Sequence, residues 1–198
     1  MNIDLQPVCI IGARKGSTRL PEKNRKEILG RSLYNLALDA AVAADIFSNI
    51  IFTTDDDQII QGLSDNDRII VDQREPTLSD ANTIMWKVGL YILEKYRKVT
   101  ENTESICFIN PCHPFRSPAL IREAYQQFID TAADSLVSVT EFPAPPELAV
   151  KMVDGRIKRN WQGPVRKSEH QQSYYVNGAI SIVNKSPRRP DVRGQPEH

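Results

Sequence analysis

Hydrophobic positions fall in short continuous runs, separated by longer stretches with helical spacing. The stretches at residues 8–11, 49–53, 68–71, 105–109, 135–139 and 179–183 are built around short apolar runs and predict strands. Residues 32–44, 56–63, 80–96 and 118–128 carry helical patterns between them. The last has a strong start signal, with Ser117 as N-cap and Pro118 at the first helical position, and Asp80 reads as the N-cap of its own helix. Strands alternating with helices predict an α/β chain: a mostly parallel sheet, helices on both faces, right-handed crossovers between.

Two segments break this rhythm. The prolines in residues 141–147 have no backbone donor and cannot continue a ladder. They open a stretch, about 141–175, that reads as an inserted arm: residues 149–152, a turn at Asp154-Gly155, then residues 156–158. Residues 186–198 hold three prolines, three arginines and a single aliphatic side chain, Val192, a composition too poor in apolar surface to order itself. The expected organisation is one domain over 1–185, carrying the arm, and a disordered tail over 186–198.

Composition narrows the function. The chain has 198 residues, enough for one sizeable core, and its 25 basic and 25 acidic side chains give a formal net charge of zero. That balance argues against a nucleic-acid partner. No apolar run is long enough for a membrane span, and the start, Met-Asn-Ile-Asp-Leu-Gln, lacks the features of a secretory signal. Cys9, Cys107 and Cys112 lack metal-type spacing; Cys9 and Cys107 sit in apolar runs and predict reduced core thiols of a cytoplasmic protein.

Against this neutral background, residues 12–26 stand out. They follow the first apolar run and carry Gly12, Gly16, the hydroxyls of Ser17 and Thr18, and the six cations Arg14, Lys15, Arg19, Lys23, Arg25 and Lys26. A positive loop at the carboxyl end of a first strand is where an α/β sheet holds a polyanion, and the ligand it predicts is a nucleoside triphosphate. Glycines let backbone N–H groups approach phosphate oxygens, and the cations supply charge-assisted bonds. The stretch matches neither the Walker loop, since Lys15 precedes Gly16, nor the dinucleotide glycine pattern. The blander reading is a solvated charged loop.

The run Ile-Gly-Ala-Arg-Lys-Gly-Ser-Thr-Arg-Leu-Pro-Glu-Lys-Asn, residues 11–24, resembles the opening of the acylneuraminate (CMP-sialic acid) cytidylyltransferases. The resemblance continues through Thr53-Thr54-Asp55-Asp56, through Arg74 with residues 78–83, through Asn110-Pro111-Cys112-His113-Pro114-Phe115-Arg116, and through residues 133–139 and Asn177-Gly178-Ala179-Ile180. It implies a Rossmann-like, glycosyltransferase-A-like nucleotidyltransferase with a dimerisation arm. The implied reaction is transfer of CMP from CTP to a nonulosonic acid, an acidic nine-carbon sugar, with release of pyrophosphate. The resemblance implies that Arg14 and Lys23 act at the phosphates as catalytic groups. It places Gly12, Ala13, Lys15, Ser17, Asn24, Arg74, Asn82 and Thr83 around the nucleotide, with backbone near Ala13 reading the cytosine. Asn110, Lys151, Arg166 and Asn177 are implied to face the sugar, and the arm to cross to a second subunit in a homodimer.

Plainer roles stand beside these. Arg74 reads equally as an exposed loop charge, Asn110-Pro111 as a strand-ending turn, Lys151 and Arg166 as surface groups of the arm. His113 reads as pocket-lining and not as a base; Trp86 and Tyr91 read as core; Asp55, Asp56 and Asp57 read as a helix start more readily than as metal ligands. Asn110, Cys112, His113, Tyr175 and Val176 depart from the family's usual residues, which leaves the acceptor sugar open. The family also continues into a helix and an Asp-x-Asp-x-x-x-Asp segment that holds Mg2+. This sequence lacks that segment, and Asp191 has no second carboxylate at the right spacing. Mg2+ is therefore expected from the resemblance without an identified ligand. A truncated or frameshifted chain of weak or absent activity is the preferred explanation, ahead of a substitute carboxylate or a divergent binding subunit. Two alternatives to the sialic-type enzyme are a catalytically silent nucleotide-binding protein and a 3-deoxy-manno-octulosonate cytidylyltransferase.

Overall fold

The computed structural model describes residues 6–17, 20–63, 66–80, 82–159 and 172–186. Arg19, Trp161, Arg166, Asp191 and the tail from 187 lie outside the described residues. A six-stranded sheet organises the chain. Its strands are β1 (Val8–Gly12), β4 (Asn49–Thr54), β5 (Ile69–Gln73), β6 (Ser105–Ile109), β7 (Ser135–Glu141) and β10 (Tyr174–Asn184), in the order β5-β4-β1-β6-β10-β7. β5, β4, β1 and β6 are mutually parallel, and β10 runs antiparallel to β6. Crossovers are made by α1 (Leu33–Ala44), α2 (Asp57–Gly62), α3 (Met85–Lys95), the short α4 (Arg97–Thr100) and α5 (Pro118–Asp130). A small hairpin, β2 (Glu27–Ile28) with β3 (Arg31–Ser32), turns at Leu29-Gly30, where both φ values are positive, and leads into α1.

β1, β4 and β6 are buried almost throughout because both of their faces are covered. Along β1, Cys9 and Ile11 join a core packed by α1, α2 and α5, while Val8 and Ile10 join a second core under α3. β4 splits the same way, with Ile50 and Phe52 to one side and Ile51 to the other. This is strand alternation used on two sides. Among the described residues no helix is long and apolar enough to cross a membrane.

Ser32 and Ser117 cap α1 and α5 through bonds from the backbone N–H groups of Asn35 and Leu120. One expected start is wrong. Asp80 does not cap α3, which begins at Met85 after Ile84, with no side-chain cap. The Asp80 carboxylate instead accepts from the backbone N–H of Asn82 and the hydroxyl of Thr83, closing a local turn that delays the helix. β7 and β10 are also longer than their apolar runs, reaching Glu141 and starting at Tyr174.

The chain divides into two compact units. One comprises Met1–Val137 with Ala179–His198, the other Ser138–Gly178. Within the second, β8 (Val150–Val153) and β9 (Arg156–Arg159) pair antiparallel across Asp154-Gly155, both with positive φ.

After α5, Ala132 carries φ 48° and donates its N–H to the carbonyl of Ile129. Such a left-handed position costs an L-residue roughly 1–2 kcal/mol and suits glycine. Ala132→Gly is expected to stabilise the fold by about 0.5–1 kcal/mol, after the greater unfolded-state freedom of glycine is subtracted. Urea unfolding checks this; a lower midpoint would contradict it.

Candidate active site

The carboxyl ends of the four parallel strands bring the candidate groups into one row. Register pairs Asp72 of β5 with Thr53 of β4, Thr53 with Gly12 of β1, and Ile11 with Ile109, so that Asn110 follows beside Gly12. Loops leaving such an edge are where an α/β sheet binds its ligand.

The loop after β1 is pinned residue by residue. Ala13, fully buried, donates its N–H to the Thr53 carbonyl (3.0 Å), and its own carbonyl accepts the Thr54 hydroxyl (2.5 Å). The Arg14 carbonyl accepts from the amide of buried Asn24 at 2.9 Å. Lys15 donates its N–H to Asp55 Oδ1 at 2.6 Å. With the Ala13 N–H occupied, the backbone donors without a protein acceptor among the described residues are those of Arg14 and Gly16. A side chain at Gly16 would meet nothing within 4 Å, which leaves that face of the loop open.

Gly12 is small for another reason. A Cβ there would lie 2.7 Å from Arg74 Nη2 and 2.7 Å from Met85 Sδ. Arg74 is only 6% exposed, so the exposed-charge reading fails. Its Nε donates to the Thr53 hydroxyl (3.2 Å) and its Nη2 to the Thr53 carbonyl (2.9 Å). Burial pulls its pKa down, Asp55 and Asp72 oppose that, and nearby Arg14 adds to it.

Charges around the loop separate into two kinds. Arg25 is tied to Asp56 at 3.2 Å and also bonds Glu22 and Gln58. The side chains of Arg14, Lys15 and Lys23 have no ion pair or hydrogen bond among the described residues. Uncompensated cations beside open backbone donors attract an anion.

Asn110 also holds a turn. Its Oδ1 accepts from the Cys112 N–H (3.0 Å), as the strand-ending reading expects. Behind it, buried Arg116 donates from Nη1 to the carbonyls of Asn110 and Ala179, both at 3.1 Å, while its Nε is buried without a hydrogen-bond partner among the described residues. Burial lowers the Arg116 pKa, and the thiols of Cys9 and Cys107 oppose that shift. His113 is half-buried in this loop.

Residues 8–179 match the family described as cytidylyltransferase. The chain belongs to the cytidylyltransferase family. The N-acylneuraminate cytidylyltransferase of Streptococcus agalactiae serotype V is 29% identical over 185 residues, covering 91% of this chain and 44% of that protein. The chain thus spans less than half the length of that relative. The pseudaminic acid cytidylyltransferase of Campylobacter jejuni subsp. jejuni serotype O:2 is 27% identical, covering 88% of this chain and 78% of the relative. The solved CMP:2-keto-3-deoxy-manno-octonic acid synthetase complexed with CTP shares the fold, with TM-score 0.63 at 17% identity, covering 90% of this chain and 74% of that one.

In this cytidylyltransferase chain, Gly12, Ala13, Arg14, Lys15, Asn24 and Arg74 gather around Thr53, Thr54 and Asp55. Ser17 continues the loop, its N–H bonded to the Lys15 carbonyl, and Lys23 begins the turn that holds Asn24. Asn82 and Thr83 shortly precede Met85, whose sulfur lies against Gly12, but the Thr83 hydroxyl is taken by Asp80. Two sugar-facing candidates belong to the second unit. Lys151 is exposed on β8, in register with Lys158. The Asn177 amide is engaged within that unit, accepting from the Ser138 hydroxyl (2.6 Å) and donating to Thr140 Oγ (2.8 Å).

Mg2+ finds no fit among the described residues, where no group of three or more His, Cys, Asp or Glu side chains converges. The acidic turn confirms its plainer reading. Asp55 accepts from Lys15, Asp56 caps α2 and pairs with Arg25, and Asp57 accepts from Gln73. Trp86 departs from its reading as core: it is 40% exposed, with its ring edge-on to Phe108.

Sequence reasoning missed Thr53 and Asp72 as supports of Arg74. The signal was present: Asp72 is a charge inside an apolar strand, two residues before Arg74 and on the same strand face.

Burial pushes the Cys107 thiol up to about 12 and raises that of Cys9 as well. With folded values above the unfolded one, their contribution to stability is whole below about pH 8.5 and is lost as pH climbs through the folded values. Iodoacetamide at pH 8 is expected to label native protein at half-buried Cys112 alone. Mass-spectrometric labelling of Cys9 or Cys107 before unfolding would contradict this.

Proposed function

We propose that this chain transfers CMP from CTP to a sialic-acid-like nonulosonic acid and releases pyrophosphate. The observation that carries the reading is the row of cations, Arg14, Lys15 and Lys23, unpaired among the described residues, on a loop pinned to the carboxyl edge of a cytidylyltransferase sheet. The anomeric hydroxyl of the sugar attacks the α-phosphorus. A new P–O bond forms, the bond to the bridging oxygen of the pyrophosphate breaks, and the hydroxyl proton passes to solvent. Catalysis is then a matter of alignment and charge neutralisation. Arg14 and Lys23 neutralise the triphosphate as it develops charge on the leaving side. The N–H groups of Arg14 and Gly16 approach the phosphates, and Arg74 with the Asn82-Thr83 turn faces the nucleoside. Asn110, Lys151, Arg166 and Asn177 are assigned to the acidic sugar, whose carboxylate suits the two basic groups. Mg2+ is the cation we assign to the reaction. Among the described residues no group of three or more His, Cys, Asp or Glu side chains converges to hold it. That same observation favours a second reading, a nucleotide-binding protein that does not turn over. CTP bound without pyrophosphate release across candidate sugars would select it.

The second unit supports a homodimer. Leu148, Val150, Met152, Val153 and Ile157 are all exposed on its turn and hairpin, with Met152 66% and Ile157 68% exposed. An apolar cluster of this kind fits burial against a second copy. We place the reaction in the cytoplasm, where CTP is made.

Arg14→Ala and Lys23→Ala each remove a charge-assisted contact of about 1.5–3 kcal/mol, so each is expected to weaken CTP binding roughly 10- to 150-fold by calorimetry. Unchanged affinity in both, or tighter binding of GTP than of CTP by the parent chain, would refute the assignment. Light scattering is expected to give the dimer mass; a monomer at working concentration would refute the dimer.

A further inference from the structure

Behind Arg74 lies a polar relay whose direction is set by chemistry. Asp72 is 1% exposed and accepts three bonds: from the Thr53 hydroxyl (2.6 Å to Oδ2), from Lys95 Nζ (2.7 Å to Oδ1) and from the Tyr96 hydroxyl (3.1 Å to Oδ1). A carboxylate only accepts and an ammonium only donates. The single proton of the Thr53 hydroxyl therefore points at Asp72, and its lone pairs face Arg74 Nε, 3.2 Å away. The Thr53 carbonyl takes Arg74 Nη2 at 2.9 Å, so one residue holds the guanidinium at two points. The space above Gly12 lets the guanidinium lie there. Arg74 Nη1 makes no hydrogen bond among the described residues and is the edge left for a ligand.

Stability alone is a weak reason for this arrangement. Desolvation offsets much of what a buried carboxylate gains from an ion pair, and apolar side chains of similar volume often serve as well. What the carboxylate adds is orientation: it fixes which way the Thr53 hydroxyl points, and so where Arg74 sits.

We propose that Thr53 and Asp72 are positioning residues for Arg74, held from the end of α3 by Lys95 and Tyr96, and that they present its free edge to the bound nucleotide. This rests on the CTP-binding reading above. Pre-setting a rotamer-rich side chain saves the cost of ordering it when the ligand arrives. Thr53→Val keeps the shape but removes the acceptor for Nε. Thr53→Ser keeps the hydroxyl. Asp72→Asn keeps the volume but offers an N–H to the Thr53 oxygen, which competes with Arg74.

Two readouts test this on the full chain. The first is the Arg74 Nε–H resonance in nitrogen-15 spectra, assigned by its loss in Arg74→Lys. Slow exchange with water is expected in the parent chain and in Thr53→Ser, and fast exchange in Thr53→Val and Asp72→Asn. The second is calorimetric CTP affinity, expected to fall about tenfold in Thr53→Val and Asp72→Asn and to return in Thr53→Ser. An Nε–H that exchanges equally fast in all four proteins overturns the clamp, whatever the CTP result. CTP affinity unchanged in Thr53→Val, with the resonance lost, overturns its role in nucleotide binding. A parent chain with a protected Nε–H and no CTP binding overturns the proposed function and leaves the clamp standing as a structural feature only. Should Thr53→Val fail to fold, Asp72→Asn decides the same questions.

Discussion

The end of β4 is the point on which the site depends. Thr53 and Thr54 together hold the residue that follows β1 and the arginine that follows β5. Thr53 accepts from Ala13 and Arg74, and Thr54 donates to Ala13 and accepts the Arg74 N–H on its carbonyl. Two loops that leave different strands are thereby fixed to a third. This lets a charged loop keep a defined course at the surface while Arg14, Lys15 and Lys23 stay unpaired among the described residues. A loop rich in lysine and arginine would otherwise be expected to sample many conformations, at an entropic cost to any ligand it binds.

The pinning also explains the division of labour among the charges. Arg25 and Arg74 are structural in the first instance, one tied to Asp56 and the other laid against Thr53. Arg14, Lys15 and Lys23 are not engaged in this way. Three cations with no ion pair or hydrogen bond among the described residues, at one edge of the sheet of a neutral protein, make a local field for an anion. The acidic residues nearby hold backbone and side chains in place: Asp55 the Lys15 N–H, Asp56 the start of α2 and Arg25, and Asp57 the Gln73 amide.

Much of this was legible from residue order. Strands buried on both faces leave continuous apolar runs, so β1, β4 and β6 were visible as such. Ser117-Pro118 marked the start of α5 because the cap and the proline act locally. What sequence could not resolve was competition between local signals. Asp80 has the chemistry of an N-cap, yet two donors within three residues claim it first, and α3 starts later without a cap. β10 extends back to Tyr174, but Asn177-Gly178 interrupts the apolar pattern, so that residues 174–176 do not read as one strand with 179–183. The hairpin of β2 and β3 is too short to carry a pattern. The site was legible as a list of residues, through the resemblance, but not as an arrangement. Residue order marks Asp72 as a charge inside an apolar strand, but it does not say that Arg74 is buried against Thr53 or that Asp72 accepts three hydrogen bonds behind it.

The central claim is that the pinned loop of residues 12–17 and the turn at Lys23 cradle a triphosphate. A crystal soaked with CTP and Mg2+ tests it most directly. The account expects phosphate oxygens within hydrogen-bond reach of the Arg14 and Lys23 side chains, with the Arg74 guanidinium still seated on Thr53. Triphosphate density elsewhere on the molecule, or none at saturating CTP, would contradict it.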